Sequence, residues 1–258
     1  MSRLILAAAL CAFAGAAAAE PTEVTVRAQA KDAKFIGESM GGVAITLTDA
    51  ATGKVLASGL TAGGTGDTAK LVAAPRLRGQ ALAGPTDAKF AATLDIDRPT
   101  LVTATAKGPM GKPDAVITAS SQMWLLPGKA IGGDGWVIEL PGLVVEPTLS
   151  TAGGLTVTAK VTLMCGCAIA PDTTWDANHY EVIATVMQGT RMVKAVPLAF
   201  AGTTSTFAAP VTGLAAGAYS VVITAHNSRT GKTGRTTRAS TASPARATAS
   251  ARATTTCR

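Results

Sequence analysis

Aromatic and imidazole side chains are scarce in this chain. Of its 258 residues 4% are aromatic, and there are two histidines, His179 and His226. That supply leaves little from which to build a Ser-His-Asp triad or a three-histidine metal site. No His-Glu-x-x-His occurs, and no pair of carboxylates stands in a recognisable catalytic context. The reading is of a protein that is not an enzyme. An apolar run of membrane-spanning length is missing too: Leu4 to Ala19 falls short of the roughly 20 residues that a spanning helix needs.

Acidic residues are absent from the C-terminal end, which makes the overall charge misleading. The net charge is +7, yet Arg229, Lys232, Arg235, Arg238, Arg246, Arg252 and Arg258 follow Ser228 with no acid among them. Setting aside those seven and Arg3 leaves a body of net charge −1. A nearly neutral body has no electrostatic footprint for nucleic acid. The basic character belongs to a tail.

The N-terminal apolar run has the form of an export signal. Met1 and Arg3 lead into an Ala- and Leu-rich stretch that contains Cys11 and ends in four alanines before Glu20. A basic start, a short apolar centre and a small-residue exit mark a secretory leader, so residues 1–19 are expected to be removed. The mature chain is then periplasmic or secreted, with no membrane span. It keeps Cys165, Cys167 and Cys257.

The rest reads in bursts of period two, as half-buried strands do. Val43, Ile45 and Leu47 alternate with Ala44, Thr46 and Thr48; Asp49 to Gly53 then turns the chain into Lys54 to Thr61, which together make a hairpin. Further strands are expected at Glu23 to Gln29, Lys89 to Ile96, Thr100 to Ala106, Arg191 to Leu198 and Ser205 to Ala208. Gly63 to Thr68 is glycine-rich, but no helical period follows it, so it reads as a turn and not as an anion-binding loop. Trp124 and Trp136 lie in a Pro- and Gly-punctuated stretch, Gln122 to Pro147, at the join between two domains. Two readings are open for them, a solvent-exposed recognition surface or core plugs, and in so aromatic-poor a chain the plug is the expectation.

The hairpin "variable strand, DAATGK, variable strand" resembles that of the carboxypeptidase-regulatory-like or transthyretin-like β-sandwich, over Glu23 to Gly108. That resemblance implies a fold and not an activity. Leu214 to Tyr219, followed by Val221, Ile223 and Ala225, resembles the late strand of immunoglobulin-like and fibronectin-like sandwiches, in which a Tyr at the strand entrance ties down the preceding corner. The expected architecture is all-β: two tandem β-sandwich domains after a signal peptide. Residues 20–147 form the first domain, 148–228 the second, and 229–258 a disordered basic tail.

The stretch from Leu155 to Met187 organises the second domain. Leu155, Val157, Ala159, Val161 and Leu163 alternate with polar residues and are the buried row; Cys165 and Cys167 continue it, while Met164 faces the other way. From Tyr180 the inward row runs through Val182, Ala184 and Val186, and His179 faces outward. Trp175, His179 and Tyr180 are positioned to shape a pocket around this loop. Three chemistries stay open for the Cys-Gly-Cys pair. Thiolate and thioether ligands favour Cu(I), which makes Met164, Cys165, Cys167 and His179 candidate ligands. A disulfide between Cys165 and Cys167 needs a kink that Gly166 permits, since residues two apart in a strand have Cα atoms roughly 6.5 to 7 Å apart. A strained bridge would also suit redox exchange.

The last expected strand of the second sandwich is missing from the pattern. After the hairpin Ser228 to Gly234, no Val, Ile, Leu, Phe, Tyr or Trp occurs. Two explanations stand side by side: an evolved disordered segment, or a slipped reading frame that replaced the strand and made Cys257 an accident. The functional expectation is an exported accessory or binding protein of the cell envelope with a protein partner, the alternative being a copper-binding or thiol-redox protein.

Overall fold

Alternating apolar and polar residues pair into strands throughout the chain. The computed structural model describes residues 20–151 and 154–242. Residues 1–19, expected to be a leader, and residues 243–258 of the expected tail, with Cys257, lie outside the described residues.

The N-terminal sandwich uses β1 (Glu20–Ala30), β2 (Ala44–Asp49), β3 (Val55–Leu60), β4 (Phe90–Ile96), β5 (Thr100–Gly108), β6 (Ile117–Leu125) and β7 (Ile131–Leu140). They form two sheets, β4-β1-β7 and β3-β2-β5-β6. Strand β1 runs antiparallel to β4 and parallel to β7. The inward rows Val24, Val26, Ala28 of β1, Ile45 and Leu47 of β2, and Val102, Ala104, Ala106 of β5 are all buried. Asp49 starts the turn between β2 and β3: its carboxylate accepts from the Ala51 and Thr52 N–H groups at 2.8 and 3.1 Å. Those bonds hold its pKa below the ordinary carboxylate value.

The C-terminal sandwich uses β8 (Leu143–Ser150), β9 (Leu155–Leu163), β10 (Tyr180–Gln188), β11 (Arg191–Pro197), β12 (Ala199–Phe200), β13 (Thr206–Val211), β14 (Gly217–Asn227) and β15 (Thr233–Ala242). Its sheets are β12-β13-β9-β8 and β11-β10-β14-β15. Strand β8 pairs with β9 from Leu143↔Leu163 to Ser150↔Thr156. The Tyr219 hydroxyl donates to the Ala215 carbonyl at 2.9 Å and ties down the corner before β14.

Three details depart from the sequence reading. Trp136 is a core plug at 4% exposure, but Trp124 stands on the outer face of β6 at 62%. A five-residue helical turn, Ala69–Ala73, does follow the glycine-rich segment, and its Leu71 packs with Phe35 and Ala88 in a small second core. Most important, the final strand forms. β15 pairs with β14 from Gly217↔Ala242 to His226↔Thr233, so residues 233–242 are a strand where the sequence pattern showed none.

At Gly234 β15 comes too close to β8 for a side chain. A Cβ added at Gly234 would lie 2.5 Å from the Leu143 carbonyl oxygen and 2.9 Å from the Leu143 Cβ. Thr236, the next inward residue, is buried. The two edges approach so closely that glycine and a short β-branched side chain fill the gap. Arg238 leaves the tail's charge in the body, meeting Asp114 of the first sandwich at 2.8 Å.

Gly234→Val is expected to destabilise the protein by roughly 1–3 kcal/mol through overpacking. Gly132→Ala, where the added Cβ meets nothing within 4 Å, should stay within about 0.5 kcal/mol of the parent in urea denaturation.

Candidate functional site at the domain junction

After Leu163 the chain leaves the sheet through a tight turn. The Gly166 N–H donates to the Leu163 carbonyl at 2.8 Å, and the Leu163 N–H donates to the Cys167 carbonyl at 3.2 Å. Gly166 takes φ +76°, in the left-handed region, and draws the Cα atoms of Cys165 and Cys167 to 5.4 Å. The two sulfurs are bonded to each other. Both residues are buried, at 3% and 8% exposure, on the inward row that the parity of β9 indicated.

Two thioethers pack beside glycines at this seam. Met164 is fully buried and fills the space above Gly142, where an added Cβ would sit 3.1 Å from its Sδ. Met40, from the first sandwich, lies over Gly166: a Cβ there would be 2.8 Å from the Met40 Sδ. The turn that carries Met40 also spells Gly37-Glu38-Ser39-Met40-Gly41, a Gly-x-Ser-x-Gly pattern that the sequence reading passed over. It is a three-residue 3₁₀ turn leading to a strand, with Ser39 exposed, and so lacks the strand-to-helix elbow on which that motif depends.

From Cys167 the loop folds back on itself through Ala170 N–H to the Trp175 carbonyl (3.2 Å) and Ala177 N–H to the Ala170 carbonyl (3.1 Å). Asp176 caps the turn Ala177–His179 by accepting from the Asn178 N–H at 2.9 Å. This delivers His179 to a pocket and Tyr180 to the start of β10. The structure therefore parts the four candidate ligands: Cys165 and Cys167 are joined, Met164 is in the core, and His179 lines the pocket. Among the described residues no three His, Cys, Asp or Glu side chains cluster as a metal site.

The pocket has a volume of about 330 Å³ and is walled by both sandwiches. Asp32 and Val72 come from the first; Trp175, Asp176, His179 and Tyr180 come from the loop; Asn227, Arg229 and Thr230 come from the β14–β15 turn. The Trp175 Nε1–H donates to the Asp32 carbonyl at 3.1 Å and pins the loop across the junction. Asn227 holds the turn together, its Oδ1 accepting from the N–H groups of Arg229 and Thr230 at 3.0 Å each. Sequence reasoning named Trp175, His179 and Tyr180 but not Asp32, Asn227 or Arg229, which come from distant segments and carry no local signal. A larger cavity of about 430 Å³ lies between Asp114 to Ile117 and the start of β15 and contains His226. Its lining surface is mostly apolar, whereas that of the junction pocket is mostly polar.

Two buried polar groups set the electrostatics of the junction. The Tyr180 hydroxyl has no hydrogen-bond partner of ordinary geometry. Burial, with help from the Asp32 charge and against the pull of the Asn227 side chain, pushes its pKa up to about 12. It is a phenol donor at any physiological pH. Lys232 is 1% exposed, and its ammonium reaches the Lys31 carbonyl at 3.3 Å and the Asp32 carboxylate at 3.4 Å. Burial lowers its pKa from 10.5, and Asp32 opposes that shift. Between the lowered folded value and 10.5 the unfolded chain binds the proton more tightly, so this group's contribution to stability rises with pH through that window.

No protein-family model and no curated protein matches the chain. One solved structure to which it is similar is a tetra-tandem repeat in the extending region of a large adhesion protein, at 13% identity and a TM-score of 0.26. That alignment covers 86% of this chain and 49% of the other. At that score the likeness carries no argument about fold or function.

Asp32 has φ +50°, so Asn is the substitution that removes its charge while tolerating the left-handed backbone. Asp32→Asn leaves the buried ammonium without its counter-charge and is expected to cost about 1–3 kcal/mol in urea denaturation at pH 7. Lys232→Met, which leaves behind a half-exposed carboxylate, should cost less and should abolish the alkaline rise in stability.

Proposed function

We propose that this chain is an exported, non-enzymatic binding protein of the cell envelope, with its two β-sandwich domains joined around a site for a protein partner. The observation that carries this reading is the polar pocket at the junction. Both sandwiches wall it, and at its edge lies a buried phenol donor that lacks an acceptor. Convergent polar groups in a concavity between domains are the usual setting of a binding site. A partner carbonyl or carboxylate presented there would accept a hydrogen bond from the Tyr180 hydroxyl, and Trp175 offers an aromatic wall beside it.

Other features support the reading. The leader pattern in residues 1–19 speaks for export, and a bridged Cys165–Cys167 pair suits an oxidising compartment. The Asp49 turn is in keeping with a transthyretin-like or carboxypeptidase-regulatory-like first domain, and the Tyr219–Ala215 corner with an immunoglobulin-like second. The alternative, Cu(I) binding or thiol exchange, needs free thiolates on Cys165 and Cys167. Bridged sulfurs offer none, which favours the partner-binding reading.

Native mass spectrometry of the purified mature protein, with thiols counted by alkylation before and after Cu(I) is added under reducing conditions, tests this. We expect the untreated mass to be two protons below the reduced value, with no copper retained against a weak chelator. One copper held there, and lost in the Cys165→Ser, Cys167→Ser double variant, would sink the partner reading in favour of metal delivery.

A further inference from the structure

The outer face of the β3-β2-β5-β6 sheet has an order of its own, apart from the junction pocket. Register fixes which side chains stand in line across it. Thr46 is paired with Ser58 on one side and Thr105 on the other, and Thr105 is paired with Ser120. All four residues point away from the buried rows, so a rank of four hydroxyls crosses all four strands. With strands 4.7–4.9 Å apart, this rank is roughly 14 Å long. Two residues along lies a second rank, Thr48, Thr103 and Gln122. There the Gln122 amide is already held by the Thr103 hydroxyl at 2.9 Å. The next pair is Leu101 and Trp124, and the Trp124 indole is 62% exposed.

Charge is nearly absent from these ranks. Only Lys107, paired with Thr118 at one corner, carries any. An anionic polymer or a nucleic acid would require a row of cations. A protein interface concentrates apolar groups at its centre and polar groups at its rim. Here the arrangement is the reverse: hydroxyls hold the centre, while Val55 and Leu60 of the edge strand β3 and Trp124 of the edge strand β6 stand at the margins. Thr side chains have few rotamers to lose, so the hydroxyls are preorganised donors and acceptors.

We propose that this face binds an uncharged polysaccharide chain. Its hydroxyls would exchange hydrogen bonds with the ranks of Thr, Ser and Gln, and the C–H face of a sugar ring would lie on the Trp124 indole, whose π face is electron-rich. The platform is wider than one sugar ring and open at the β6 edge, which suits a chain and not a free monosaccharide. The inward rows of the same strands hold the core independently, so the outer residues are free to serve binding.

Affinity electrophoresis of the mature protein through gels containing neutral polysaccharides (β-glucan, mannan, soluble chitin oligomers) or acidic ones (alginate, heparin) tests the proposal. We expect retardation in at least one neutral gel. Trp124→Ala should weaken it about tenfold or more, Thr105→Glu should abolish it, and both variants should melt as the parent does. Tyr180→Phe, at the junction, should leave it unchanged. Retardation only in acidic gels, or in none, overturns the proposal. So does a sedimentation result in which the face pairs two copies of the chain and Trp124→Ala releases them.

Discussion

The junction of the two sandwiches depends on one buried ammonium. Lys232 closes the β14–β15 turn through its carbonyl, which accepts from the Asn227 N–H at 2.9 Å, and sends its side chain into the first sandwich toward Lys31 and Asp32. Burying an ammonium is costly unless partners meet it. Both partners found here belong to the segment just after β1. The cost can be offset only when the two sandwiches are docked in this one arrangement, so the contact favours a specific pose over a strong bond. Asp32 then serves a second time, since its carbonyl receives Trp175 and its carboxylate faces the pocket. Sulfur packing fills in around this polar centre, with Met40 over Gly166 and Met164 over Gly142, where glycine is needed on each side of the seam.

The same seam explains why the sequence misled at its C-terminal end. A strand is recognised by apolar alternation because most strands must contribute side chains to a core. β15 contributes mainly backbone: its hydrogen bonds to β14 continue the sheet, while its inward side chains have almost no room beside Leu143. Gly234 and Thr236 are what that gap admits, and farther along the same row Arg238 reaches out to Asp114. The chain after Gly231 therefore looks like a disordered basic tail in composition, and through Ala242 it is an edge strand in structure. Four of the eight cations set aside from the body return to it, with Lys232 buried and Arg238 paired to Asp114.

Where inner rows do the packing, the sequence was legible. The period-two pattern located the hairpin at Asp49, the inward parity of Leu155 to Leu163 and of Tyr180 to Val186, and the tyrosine that ties down the corner before β14. Parity has no reach beyond the strand that bears it. It placed Met164 opposite Cys165, yet could not say that Met164 is buried as well, against Gly142. For the same reason the pocket was half visible. Trp175, His179 and Tyr180 stand together in the chain, whereas Asp32 and Arg229 reach them only through the docking that Lys232 enforces.

A core made largely of Ala, Val and Leu gains little free energy per residue, about 25 cal/mol for each Å² of apolar surface buried. In such a chain each large aromatic is a scarce source of stability, and the three tryptophans are used differently. Trp136 fills the core and spends its Nε1–H on the Ser121 hydroxyl at 2.8 Å. Trp175 is half-buried and joins the sandwiches. Trp124 stands in solvent on the outer face, forgoing burial that this core could have used. Its cross-strand partner Leu101 returns at most about 1 kcal/mol, so most of the indole's surface is left for a ligand.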